Sequence, residues 1–116
     1  MSILFYKVLH ILGIALTVVA LGGVAQRALD GGGGSRKLPA ITHGVGLLIV
    51  LVSGFGLLAK YNFGFELWVW CKLGIWIVVA VLLVLIRRMP QYATAFWFAI
   101  PVLVALAAYV ALYKPF

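Results

Sequence analysis

Four long apolar runs separated by short polar stretches organise the chain, at about Ile3 to Ala25, Leu38 to Ala59, Leu67 to Ile86 and Thr94 to Leu112. Each is close to the ~20 residues a helix needs to cross hydrocarbon. A backbone polar group in lipid finds no water, so each run predicts a helix that pairs its own amides. Lys7 and His10 interrupt the first run, Pro39 opens the second in a helix's first turn, and Pro101 predicts a kink in the fourth. The connections around 61–66 and 87–93 are short, and short connections make antiparallel neighbours. The expected fold class is therefore all-α: an integral membrane, antiparallel four-transmembrane-helix bundle forming a single domain over 1–116.

The first connection, 26–37, reads QRALDGGGGSRK, and its four glycines make a flexible tether. GGGGS is also a common engineered linker, but the apolar runs on either side read as one continuous membrane protein, which favours a native loop. The first run is longer than the apolar core of a signal peptide and has no strongly basic leader, so it is expected to be a retained helix.

Composition agrees with lipid as the solvent. Of 116 residues, 66% are hydrophobic and 9% charged, against about half and a quarter in soluble domains. The length excludes two-domain enzymes and P-loop machines. Nine Lys and Arg against two acids give a net charge of +7, which in a soluble protein would suggest nucleic acid. Here the cations sit at segment ends and read as topology determinants and lipid-headgroup contacts, with no nucleic-acid partner. Arg27, Arg36, Lys37, Arg87 and Arg88 flank connections one and three, whereas Lys7, Lys60 and Lys114 mark the other side. That bias predicts connections one and three in the cytoplasm and both termini on the outer, periplasmic side. The single cysteine, Cys71, permits no intrachain disulfide and no thiolate metal site.

Three ionisable residues fall inside the apolar runs: His10, His43 and Lys72. Each costs about 2.5 to 3.5 kcal/mol on insertion scales, so each is a functional candidate. The carboxylates Asp30 and Glu66 lie in or beside loops, which argues against a small proton-coupled exporter and against a carboxylate metal site. In an antiparallel bundle His10 and Lys72 share a depth within ~3 Å, whereas His43 differs from His10 by roughly 15 Å. One haem held between both histidines of a single chain is therefore disfavoured. Gly13 and Thr17 follow His10 at helical spacing, as Gly46 and Ser53 follow His43. Small residues beside a histidine leave room either for a flat macrocycle or for another helix. The bland alternatives are a hydrogen bond or headgroup contact for His43 near the interface and an outward-reaching ammonium for Lys72. Trp68, Trp70 and Tyr61 at one end, with Tyr92 and Trp97 at the other, suit interfacial belts.

The segments Lys7-Val8-Leu9-His10-Ile11-Leu12-Gly13 and Trp70-Cys71-Lys72-Leu73 resemble small four-helix bacterial membrane proteins of the HemJ, SirB and CopD-like kind. In these a K-x-L-H-x-x-G opening helix and a W-x-K-L-type third helix recur. The resemblance implies a bacterial inner (cytoplasmic) membrane, with a first-helix histidine on haem b and a functionally required third-helix lysine. Those roles would fall on His10 and Lys72. The aromatic and arginine-rich segment expected of HemJ proteins between the first two helices is replaced here by the glycine tether.

The first functional expectation is a protein that binds a b-type haem or related tetrapyrrole for electron transfer or porphyrin metabolism. His10 would be the axial ligand, Gly13 would give clearance, Lys72 would face a propionate, and His43 would be a further cofactor-side candidate. The second is a non-catalytic accessory subunit of a respiratory or photosynthetic membrane complex, with the lipid bilayer, other membrane subunits or further copies of the chain as partners. The sequence specifies no catalytic residue, substrate or redox partner.

Overall fold

The computed structural model describes residues 2–32, 36–61, 64 and 66–113. Four helices form, α1 (Ile3–Leu29), α2 (Lys37–Tyr61), α3 (Leu67–Arg88) and α4 (Ala93–Tyr113), with a 3₁₀ turn at Pro90–Tyr92 before the last. All four are long and apolar enough to cross a membrane. Gly33 to Ser35 of the tether, Asn62, Phe63 and Phe65 of the second connection, and Lys114 lie outside the described residues.

The helices run past the apolar segments that predict them. α1 is capped by Ser2, whose Oγ accepts from the Phe5 N–H at 3.1 Å. It continues to Leu29 because Gln26, Arg27, Ala28 and Leu29 are sound helix formers. Its stop is a Schellman motif: Gly31 and Gly32 take φ values of 82° and 92°, and their N–H groups donate to Ala28 O at 3.3 Å and Arg27 O at 2.7 Å. The glycine-rich connection thus starts at Asp30 rather than at Gln26, and Arg27 belongs to the last turn of α1. α3 likewise ends on Arg87 and Arg88, where cations complement the helix dipole. Pro101 lies inside α4 with an exposed side chain.

The α1–α2 pair is the most extensively packed. A Cβ on Gly13 would lie 2.9 Å from the Val50 N, and one on Gly46 would lie 2.9 Å from Gly13 O and from Thr17 N. A Cβ on Gly56 would run into the Tyr6 ring. As position rises along α1 from Tyr6 through Gly13 to Thr17, the partner on α2 falls from Gly56 through Val50 to Gly46. Small residues let these two backbones approach closely.

α3 meets α2 far more sparingly. Side-chain bonds cross that seam: the His43 Nε2–H donates to Val79 O and the Trp76 Nε1–H to Leu47 O, each at 3.1 Å. Two clusters of buried side chains close the helices at opposite ends. Leu21, Val24, Ala25, Leu82, Leu83, Ile86 and Ile100 form one, and Trp68, Val69 and Val110 form the other. Leu4, Val8, Ile11, Leu48 and Leu112 are among many large apolar side chains left exposed, a surface suited to lipid rather than water.

Candidate functional site

Between the two clusters the helices leave an apolar cleft in two adjoining parts, of about 440 Å³ and about 490 Å³. His10, Val50, Lys72, Trp76, Ala111 and Leu112 line both parts. His10 from α1 and Lys72 from α3 therefore share one wall system, and Lys72 lies within electrostatic reach of the imidazole. Lys7 lines the outer part, its Nζ 5.8 Å from the centroid of the Tyr61 ring. That distance suits a cation–π contact.

The orientation of His10 comes from α2. Its Nδ1 lies 2.9 Å from Ser53 Oγ. Ser53 is fully buried, and its hydroxyl donates to Ile49 O at 2.6 Å, with Val50 O at 3.2 Å. A hydroxyl has one proton to give. With that proton directed at the helix backbone, Ser53 is placed to accept from His10, an arrangement that suits a proton on Nδ1 and a lone pair on Nε2; the ring also hydrogen-bonds the Val50 backbone. The ring edge lies against Gly54, where an added Cβ would stand 3.6 Å from His10 Cε1.

The other two candidates sit elsewhere. The space at Gly13 is filled by Val50 and Ile49 of α2, so of the two uses open to it the fold takes helix packing. His43 is buried, bonds α3 through Nε2, and does not line the cleft. It precedes Ser53 by three helical turns on α2, a separation of ~15 Å along the axis.

Among the described residues no three His, Cys, Asp or Glu side chains gather to hold a bare metal ion. A tetrapyrrole makes a smaller demand, because it carries its own four nitrogen ligands and asks the protein for an axial donor, an apolar slot and partners for its carboxylates. The Nε2 lone pair of His10, the apolar cleft, and the ammonium groups of Lys72 and Lys7 fit that demand. A metal-bound histidine ordinarily donates its other ring N–H to an oxygen acceptor, and Ser53 is that acceptor here.

Sequence reasoning placed Ser53 on the face of His43 and did not pair it with His10. The signal lay in the glycines: Gly13 and Gly46 fix the α1–α2 register, and that register carries Ser53 to His10. Lys7 and Trp76 were likewise read only as interface residues or left aside, since nothing in their local spacing marks a cleft made by three helices. Compared with protein-family models, with characterised proteins and with solved structures, the chain matches none.

Proposed function

We propose that the chain is an integral membrane protein, an antiparallel four-helix bundle of the bacterial inner membrane, that binds a b-type haem or related tetrapyrrole. The carrying observation is the His10–Ser53 pair at the wall of the apolar cleft, an arrangement that suits His10 Nε2 as the lone-pair donor. Lys72 and Lys7 supply positive charge for propionates. The resemblance of the opening and third helices to HemJ-like proteins supports the same two residues, His10 and Lys72. When bound, such a group supplies one-electron redox chemistry or serves as the porphyrin being handled. This chain's residues orient it, exclude water from it and neutralise its carboxylates.

The excess of Lys and Arg at connections one and three supports a cytoplasmic side for those connections and a periplasmic side for the termini. A second reading, an accessory subunit of a respiratory or photosynthetic complex, draws on the thin α2–α3 seam, along which a neighbouring membrane subunit or a second copy would complete the packing.

Titration of ferric haem into the detergent-purified chain tests the proposal. The expected result is saturation at one equivalent with the spectrum of histidine-ligated haem, and its loss in His10→Ala. Unsaturable uptake, equal in wild type and His10→Ala, would overturn the haem reading and leave the accessory subunit.

A further inference from the structure

At the other end of α1 the chain gathers cations from three helices. Arg27 lies in the last turn of α1, Arg87 and Arg88 in the last turn of α3, and Arg36 and Lys37 at the entry to α2. The Arg87 Nη2–H donates to the backbone carbonyl of Arg36 at 2.6 Å. Arg27 and Arg36 both lie within electrostatic reach of Arg87.

Two features set this cluster apart from cations that merely face water. The Nε atoms of Arg27 and Arg87 are buried, and neither has a hydrogen-bond partner among the described residues. Asp30 is the one carboxylate at this end, since the chain has two acids and Glu66 stands at the start of α3. Asp30 is already engaged, its Oδ2 accepting from Gln26 Nε2 at 3.0 Å. The dipoles of α1 and α3 favour cations at their C-terminal ends but place no acceptor on either Nε. Buried donors and gathered like charge are unfavourable until an anion completes them. The fork of a guanidinium matches the oxygens of a phosphate two at a time, which a lysine cannot do.

We propose that Arg27, Arg36 and Arg87 form a phosphate-binding site at the cation-rich end of the molecule. The phosphate is that of an anionic lipid headgroup or of a free phosphate species, two sources with one recognition chemistry. A membrane surface presents the first at the level where helix ends emerge. The site stands independently of the tetrapyrrole reading, since it shares no residue with the cleft.

The test uses the full chain in non-ionic detergent, titrated separately with phosphatidylglycerol, phosphatidylcholine and inorganic phosphate, with bound lipid read by native mass spectrometry. Phosphatidylglycerol is expected to bind saturably and about tenfold tighter than phosphatidylcholine, equivalent to ~1.4 kcal/mol. Arg27→Gln and Arg87→Gln should each weaken it about tenfold, whereas Arg88→Gln, exposed and outside the trio, should stay within about twofold. Arg87→Lys keeps the charge but removes the Nε–H and the fork, and is expected to weaken binding too. It also serves where the Gln variant fails to retain its helix content. Displacement of the lipid by millimolar phosphate would assign the site to a free phosphate species. Lipid binding that depends on Arg27 and Arg87 yet resists phosphate would assign it to the headgroup. Equal binding of the two lipids, or wild-type affinity in the Arg27 and Arg87 variants, would overturn the proposal.

Discussion

His10 and Ser53 meet across the α1–α2 seam, Nδ1 to Oγ at 2.9 Å, with the Ser53 hydroxyl in turn donating to Ile49 O at 2.6 Å. With the Ser53 proton given to the backbone, the pair favours the tautomer that carries its proton on Nδ1. It also ties the candidate ligand to the tightest helix pair of the fold, so the position of His10 is set by backbone packing and not by the cleft's contents.

Ser53→Ala removes the acceptor while leaving the volume almost unchanged. The His10 ring then loses one of its hydrogen bonds and keeps the one to the Val50 backbone, a loss of about 1 kcal/mol. Haem affinity should fall about 10- to 100-fold, the range found when the oxygen behind a ligating histidine is removed. Denaturation in detergent and haem titration measure the two effects separately. A variant with unchanged haem affinity would show that Ser53 does not orient the ligand.

Gly46→Ala places a methyl group 2.9 Å from Gly13 O and from Thr17 N, backbone atoms that yield only if the helices move apart. A loss of about 1–3 kcal/mol is expected from this overpacking. Gly22 on α1 has nothing within 4 Å of an added Cβ, so Gly22→Ala should be neutral or stabilising by up to ~1 kcal/mol through helix propensity. Comparing unfolding midpoints of the two variants in one detergent checks both. Equal midpoints would mean that the close approach of α1 and α2 is not what holds the pair.

Lys72→Gln removes a cation that lines both parts of the cleft. The wild-type chain should bind a free-acid porphyrin about tenfold tighter than the corresponding dimethyl ester, ~1.4 kcal/mol for a charge-assisted contact. The variant should lose that preference while keeping its affinity for the ester. Fluorescence titration with the two porphyrins gives the ratio directly, and an unchanged ratio would remove Lys72 from carboxylate recognition.

The number of helices was legible because each long apolar run pairs its own backbone amides as one helix. Their ends were less so. The first polar residues after Ala25 are good helix formers, and α1 stops where Gly31 can take a positive φ, a conformational requirement that hydropathy does not report. The shared wall of His10 and Lys72 was legible from how far each lies into its apolar run. The partnership of His10 with Ser53 was not, because it depends on a register set by how closely Gly13 and Gly46 let two backbones come. Gly13 itself was legible as a gap, and what fills the gap, Val50 and Ile49, follows only from the packing. The buried Nε atoms of Arg27 and Arg87 were hidden for a similar reason, as both residues read as loop cations until the helices are seen to run through them.

His43 offers the sharpest contrast with His10. It too is a histidine inside an apolar helix with small residues beside it, yet its Nε2–H is committed to Val79 O. The account is tested most directly by the reduced-minus-oxidised visible spectrum, with pyridine extraction, of wild type, His10→Ala and His43→Ala purified in detergent without added cofactor. It predicts one tetrapyrrole per chain in wild type and in His43→Ala, and none in a folded His10→Ala. A featureless wild-type spectrum at good yield, or pigment that follows His43 instead of His10, would contradict it.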